Sequence, residues 1–156
     1  SFISLFSAFT TVFLLFFLSL ELVANDYTNL FREAIYAGNE QEALMYTQTE
    51  QLDDALLQLK TLSKIVVITL GAQGALIAEA QQRFQVPGRK VVAVDTNGAG
   101  DAFSGSFLYA LNANLDLHSA AELAILISSQ VVAQFGPRLD VADYAKRLKE
   151  FQVDVA

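Results

Sequence analysis

The stretch that decides the fold is Asp95-Thr96-Asn97-Gly98-Ala99-Gly100-Asp101, in the second half of the 156-residue chain. An apolar run before it predicts a strand over 89–94, and a helical pattern after it predicts a helix over 101–111. A strand that passes through a glycine turn into a helix leaves unpaired N–H groups where the helix dipole favours negative charge. The stretch therefore predicts an anion site with the Asp101 carboxylate beside it.

Two glycines allow a ligand to approach this turn closely. Gly98 and Gly100 carry no side chain and reach backbone conformations that are closed to other residues. On these residues alone, an ordinary turn in which Asp101 caps a helix is an equal alternative.

The longer string D-T-N-G-A-G-D-A-F, residues 95–103, resembles the C-terminal signature of the ribokinase-like (PfkB-type) carbohydrate and nucleoside kinases. Downstream, Gln134-Phe135-Gly136-Pro137-Arg138-Leu139 resembles bacterial members of the adenosine kinase branch. The resemblance implies that Asp101 is the base that takes a proton from the acceptor hydroxyl. It also implies an anion hole for the transferring phosphate, formed by the backbone of Gly98, Ala99 and Gly100.

Composition limits the function classes. A formal net charge of −7 and a pI near 4.5 argue against nucleic acid or an anionic membrane as the main partner. The absence of Cys excludes a disulfide framework, a thiolate metal site and a Cys nucleophile. His118 is the only histidine, which excludes a multi-histidine metal site. The length suffices for one domain with a real core.

Residues 1–20 form an uncharged segment in which fourteen residues are apolar. The length is near the ~20 residues that span a bilayer, but no Lys or Arg precedes the run, so a secretory signal is poorly supported. A membrane anchor and a buried or wrongly translated segment both remain open, and the second is preferred because the family offers no transmembrane helix here. The expected division is an apolar segment, residues 1–25, and an ATP-side kinase part, residues 26–156.

A candidate metal element follows a short strand predicted over 34–37. A helix is predicted over 39–46, and Asn39 and Glu42 lie on one face at its start. Their oxygens suit the water shell of Mg²⁺; the alternative is a solvated helix N-terminus. The string G-N-E-Q-E-A resembles the N-x-x-E element of the family, which implies that Asn39 and Glu42 hold Mg²⁺ through water.

A candidate nucleotide loop follows an amphipathic helix predicted over 51–59. The β-branched run 64–70 is typical of a strand buried on both faces. The string Thr69-Leu70-Gly71-Ala72-Gln73-Gly74 at its end resembles the T-x-G-x-x-G nucleotide loop of the family, which implies ATP contacts at Thr69, Gly71 and Gly74. A glycine turn at the end of a buried strand is also where open α/β sheets bind ligands.

Further strands are predicted over 75–78 and 82–86, and further helices over 119–134 and 141–151. Gly105, inside the first of the late helices, predicts close packing.

Two positions bear on how much of the family pattern carries over. Asp95 and the backbone around Asn97 match a monovalent-cation loop in many members, which implies a K⁺ ligand at Asp95; the alternative is that Asp95 only fixes the turn. Ile125 stands where related kinases often carry a polar side chain near adenine, so that contact is not carried over.

The resemblance implies the C-terminal half of a ribokinase-like three-layer α/β/α sandwich with a mostly parallel sheet. It implies transfer of a phosphoryl group from ATP, with Mg²⁺, to the 5′-hydroxyl of adenosine, giving AMP in the cytoplasm. Two alternatives stand beside it: another PfkB-type sugar or inosine-guanosine kinase, and a non-catalytic fragment that at most binds nucleotide. Family members are roughly twice as long, and the residues that choose the acceptor lie in their N-terminal half.

Overall fold

The computed structural model describes residues 35–151. The predictions for the apolar N-terminal segment and for the boundary after residue 25 lie outside the described residues.

The described chain contains four strands and five α-helices. The strands are β1 (Ile35–Asn39), β2 (Ile65–Thr69), β3 (Ala75–Glu79) and β4 (Gln82–Val86). The helices are α1 (Glu40–Thr47), α2 (Leu52–Leu62), α3 (Ala99–Asn112), α4 (Leu117–Val132) and α5 (Val141–Glu150). Each corresponds to a predicted helix or strand, with bounds that differ by no more than a few residues.

The strands form one sheet in the order β1-β2-β3-β4. β1 pairs with β2 in parallel, whereas β2 with β3 and β3 with β4 are antiparallel. The prediction of a mostly parallel sheet is therefore wrong for the described strands, because one pairing of three is parallel. The connections after β2 and β3 are hairpins, and a parallel pairing needs a crossover of a dozen or more residues.

β2 is buried on both faces, as its β-branched run predicts. Val67 packs with one hydrophobic cluster, which also contains buried residues of α3 and α4. Val66 and Ile68 pack with another, which contains buried residues of α1 and α2. Helices thus cover both faces of the sheet, and the three-layer α/β/α arrangement is confirmed.

The strand predicted over 89–94 is not formed. Val92 is 85% exposed, and Val91 and Val94 are each 43% exposed. The segment has a sequence typical of a strand. Among the described strands, however, neither edge strand of the sheet, β1 or β4, pairs with it. It is instead held at its end, where the N–H groups of Val94 and Asp95 donate to the carbonyl oxygen of Val132 at 2.8 and 3.1 Å.

Two glycines differ in the space around them. A Cβ built on Gly105 meets no atom within 4 Å, so the prediction of close packing there is wrong within the described residues. Gly74 has φ +97°, and a Cβ built on it would overlap the carbonyl oxygen of Val86. Gly74 therefore closes a tight contact between the turn after β2 and the end of β4.

We expect Gly105→Ala to raise the free energy of unfolding by about 0.5–1 kcal/mol, because alanine loses less backbone entropy in a helix. Gly74→Ala should lower the free energy of unfolding by more than about 1 kcal/mol, because a positive φ disfavours alanine and its Cβ would also overlap the Val86 carbonyl oxygen. Denaturant unfolding of both variants measures the two values. A destabilised Gly105→Ala chain would show that this face of α3 is packed after all.

Candidate functional site

The parallel pairing of β1 with β2 brings two predicted site elements to one edge of the sheet. Asn39, at the end of β1, lies opposite Thr69, at the end of β2. The Thr69 hydroxyl donates to the carbonyl oxygen of Gly38 at 3.5 Å. The candidate metal element and the candidate nucleotide loop therefore start side by side at the carboxyl ends of parallel strands, where open α/β sheets bind ligands.

Asn39 and Glu42 form a capping box at the start of α1. The Asn39 Oδ1 atom accepts from the Glu42 N–H at 2.8 Å, and the Glu42 Oε2 atom accepts from the Asn39 N–H at 2.9 Å. This is the helix-start alternative that the sequence left open. It leaves room for a second role, because an ionised carboxylate accepts about four hydrogen bonds.

Direct metal ligation by acidic groups has no support in this part of the chain. Across residues 35–151, no three or more His, Asp or Glu side chains are grouped so that they could hold a metal ion. The oxygen donors of Asn39 and Glu42 fit a hydrated Mg²⁺, which keeps several waters and takes few protein ligands.

Gly38 and Tyr36 belong to the surroundings of Glu42, and the sequence reasoning did not single them out. A Cβ built on Gly38 would lie 2.7 Å from the Tyr36 hydroxyl and 3.2 Å from the Glu42 Oε2 atom. Burial raises the pKa of Tyr36 to about 12, and the nearby charges of Glu42 and Tyr46 add to the rise. The phenol thus stays neutral beside the carboxylate. The one available signal was the glycine directly before Asn39.

The candidate nucleotide loop is a compact turn. Residues Gly71–Gln73 form one turn of 3-10 helix, and the Leu70 N–H donates to the Gly74 carbonyl oxygen at 2.8 Å. Gly71 has φ +58°, and a Cβ built on it meets nothing within 4 Å. Its backbone is therefore open to a ligand, while Gly74 anchors the turn against β4.

The glycine turn leads into α3 as predicted, with Gly98 as N-cap at φ +77°. Side chains cap α1, α4 and α5, whereas α2 and α3 have no side-chain cap, and only α3 begins at a glycine. A Cβ built on Gly100 meets nothing within 4 Å, and Asp101 is exposed in the first turn. The start of α3 therefore presents backbone N–H groups beside a carboxylate, and the Asp101 side chain does not consume them as a cap.

Asp95 contacts two separate backbone segments. Its Oδ1 atom accepts from the Asn97 N–H at 3.0 Å, and its Oδ2 atom accepts from the Gly136 N–H at 3.3 Å. Pro137 lies against Gly98, where a built Cβ would be 2.5 Å from the Pro137 Cβ atom. Gly136 and Pro137 were recognised in the sequence only as part of a family-like string, not as neighbours of the glycine turn.

A cavity of about 290 Å³ lies beside Asp101, between α3, α4 and α5. Its lining includes Asp101, Gly105, Ser106, Tyr109 and Tyr144.

Ile125, where a polar side chain was noted as common in related kinases, is 5% exposed and belongs to the core.

Within residues 35–151, every helix is too short or too polar to cross a membrane.

Comparison with known proteins places this geometry in a family. A profile described as pfkB family carbohydrate kinase matches residues 9–143. A ribokinase of Lactococcus lactis is 31% identical over 102 residues, covering 62% of this chain and 33% of the relative. An adenosine kinase of Schizosaccharomyces pombe is 31% identical over 119 residues, covering 65% of this chain and 34% of the relative.

Comparison with solved structures gives kinases as well. A probable sugar kinase from Rhizobium etli superposes with a TM-score of 0.72 at 29% identity, covering 86% of this chain and 42% of its own. An adenosine kinase from Sinorhizobium meliloti gives 0.71 at 28% identity, covering 84% and 41%. A ribokinase II from E. coli in complex with ATP and Mg²⁺ gives 0.66 at 27% identity, covering 74% and 39%.

The chain spans about a third to two-fifths of the length of these relatives. The profile match covers most of the chain, and it includes both the edge where β1 and β2 end and the glycine turn that leads into α3. The chain belongs to the pfkB family of carbohydrate kinases, with a ribokinase-like α/β fold.

Proposed function

We propose that this chain is the ATP-side part of a kinase that transfers the γ-phosphoryl group of ATP to the 5′-hydroxyl of adenosine, giving AMP. The observation that carries the proposal is the start of α3, where an uncapped, glycine-lined helix N-terminus stands beside the exposed Asp101 carboxylate. The E. coli relative bound to ATP and Mg²⁺ supports the choice of co-substrate and ion.

Catalysis of phosphoryl transfer depends mainly on positioning the two substrates and on stabilising the charge of the transferred group. The backbone N–H groups of Gly98 and Gly100 supply donors for that charge, reinforced by the dipole of α3. The Ala99 N–H, which donates to the Thr96 carbonyl oxygen at 3.3 Å, joins them when a phosphate replaces that bond. Asp101 takes the proton of the attacking hydroxyl. Proton removal falls late in a loose transition state, so a carboxylate suffices as the base.

The turn after β2 holds the nucleotide. Thr69 and Gly71 face the ligand from the end of the sheet, and Gly74 fixes the turn by its close approach to Val86. Gly88 adds to this, since a Cβ built on it would overlap the carbonyl oxygen of Ala72. The loop is thus rigid before the nucleotide arrives, which lowers the entropy cost of binding.

Asn39 and Glu42 would hold Mg²⁺ through its water shell, where the ion would supply charge neutralisation for the phosphates of ATP. Their position next to Thr69 supports this assignment. Asp95 is a candidate ligand for a monovalent cation, K⁺, because its carboxylate has accepting capacity beyond the two N–H groups that it contacts.

The choice of adenosine as acceptor rests on two of the relatives. Adenosine kinases from two organisms are among the relatives, but a ribokinase and a sugar kinase are similar to the same degree. The second candidate is therefore another sugar or nucleoside kinase of this family. The third, a non-catalytic chain that binds nucleotide, rests on the share of the relatives' length that the chain spans.

One experiment separates the three candidates. The full chain is incubated with MgATP and, in turn, adenosine, inosine, cytidine and ribose, and the product is identified by mass. AMP formed fastest from adenosine supports the first candidate, and faster transfer to another acceptor supports the second. Binding of ADP, measured by calorimetry, without transfer to any acceptor supports the third.

We expect Asp101→Asn to lower kcat by about 10²–10⁴, the range of general-base catalysis, with almost unchanged ADP affinity. The matched control is Asp143→Asn, since Asp143 is also an exposed third residue of its helix, α5. Kinetics, calorimetry and melting temperature are measured for both. Equal kcat in the two variants, at equal stability, would make Asp101 an ordinary turn residue.

We expect Glu42→Gln to raise the Mg²⁺ concentration needed for half-maximal activity or ADP binding by about tenfold, because a charged outer ligand becomes neutral. Glutamine at this position can still complete the capping box, so the melting temperature should hold. Glu40→Gln, in the same exposed first turn, is the control. Identical Mg²⁺ titrations for the two variants would remove Glu42 from the metal site.

A further inference from the structure

We propose that Tyr36 is a positioning residue for the Glu42 carboxylate, and that its hydroxyl, which lies over Gly38, holds that carboxylate through one water molecule. The inference rests on the proposed function, because Glu42 is one of the two residues proposed to hold Mg²⁺. It adds to the metal element a side chain that lies outside the string N-x-x-E, three residues before Asn39.

The Tyr36 side chain extends along β1 toward the candidate metal element. Residues two apart in a strand point to the same face of the sheet, so Tyr36 and Gly38 share a face, and Tyr36 packs there against the cluster of α1 and α2. A Cβ built on Gly38 would lie 2.7 Å from the Tyr36 hydroxyl and 3.0 Å from the Cζ atom of the ring. The phenol therefore occupies the space that a side chain at residue 38 would need.

The Glu42 carboxylate reaches the same space from α1. The Cβ built on Gly38 would lie 3.2 Å from the Glu42 Oε2 atom. Glu42 and Tyr46 are four residues apart and so lie on one face of α1, and the ring of Tyr46 is 6.2 Å from the ring of Tyr36 between centroids. The hydroxyl from β1 and the carboxylate from α1 thus converge on one point above the backbone of Gly38.

These two groups suit a bridge through water. Among the hydrogen bonds of residues 35–151, the Glu42 Oε2 atom accepts from the Asn39 N–H, whereas the Tyr36 hydroxyl takes part in none. Every fully buried side-chain N or O atom in this part of the chain has a partner, so the Tyr36 hydroxyl is within reach of water. One water can join two polar groups that are too far apart for a direct bond. The phenol can donate to that water, and the water can donate to the carboxylate.

The bridge affects how the metal element binds its ion. A glutamate side chain has several rotatable bonds, and the Glu42 carboxylate is held by the Asn39 N–H at one oxygen. A second bond from the side of Tyr36 restricts its rotation. Partners of this kind orient the groups that bind a metal, and a group that is held in place beforehand binds at a lower entropy cost. Losing the Tyr36 hydroxyl should therefore weaken Mg²⁺ binding although the carboxylate remains.

The test is Tyr36→Phe in the full chain, which removes the hydroxyl and keeps the ring. We expect the Mg²⁺ concentration for half-maximal ADP binding, measured by calorimetry, to rise by about threefold to tenfold, the effect of one hydrogen bond. ADP affinity at saturating Mg²⁺ and the melting temperature should not change. The matched control is Tyr46→Phe, the same change on the neighbouring ring, whose atoms are not among those nearest to the Gly38 position. An equal shift in Tyr46→Phe would overturn the assignment to Tyr36.

A double variant separates positioning of Glu42 from an independent contact with the ion. If Tyr36 acts through the Glu42 carboxylate, the two substitutions are coupled and their effects do not add. Tyr36→Phe combined with Glu42→Gln should therefore give the same Mg²⁺ titration as Glu42→Gln alone. Two effects that multiply in full would show that Tyr36 acts without Glu42, and the positioning role would fail.

Hydrogen exchange at the Asn39 amide tests the contact without metal or nucleotide. This N–H donates to the Glu42 Oε2 atom, so a carboxylate that rotates more freely protects it less. We expect exchange at Asn39 to be about threefold faster in Tyr36→Phe, again the loss of one bond, and unchanged in Tyr46→Phe. Unchanged exchange in Tyr36→Phe would overturn the inference, as would an unchanged Mg²⁺ titration in a chain that binds ADP. Faster exchange in a chain that binds no ADP would leave the Tyr36 contact standing and count against the proposed function.

Discussion

Burial of β2 on both faces is the constraint on which the rest of the structure depends. Val66, Val67 and Ile68 are each 0% exposed, so helices must cover both sides of this strand and neighbouring strands must pair with its two edges. The parallel pairing on one edge sets Asn39 beside Thr69. The same packing brings α3 and α4 together over one face. The positions of both parts of the candidate site therefore follow from one buried strand.

Features that depend on neighbours in sequence could be predicted from the sequence. The β-branched run of β2 signals two-sided burial, and the Asn39–Glu42 spacing signals a helix start. The glycines at 98 and 100 signal a turn into a helix, and α3 indeed begins at Gly98, which has positive φ. For these elements, local propensity and tertiary packing favour the same conformation, so they can be predicted from the sequence alone.

Features that depend on distant partners could not be predicted. The run before Asp95 has the propensity of a strand but no described strand beside it, and propensity does not report the partner. Gly105 shows the same limit, since a glycine in a helix indicates packing only when another element lies opposite it.

The three parts of the candidate site are therefore held in different ways. The capping box of α1 is local, and the turn after β2 is anchored by a hairpin with its own strand β4. The glycine turn before α3 depends on contacts with residues 132–137, which come after another helix. A change far along the chain can thus disturb the glycine turn while leaving the other two parts intact. This explains why a motif identifies the turn but says nothing about what holds it.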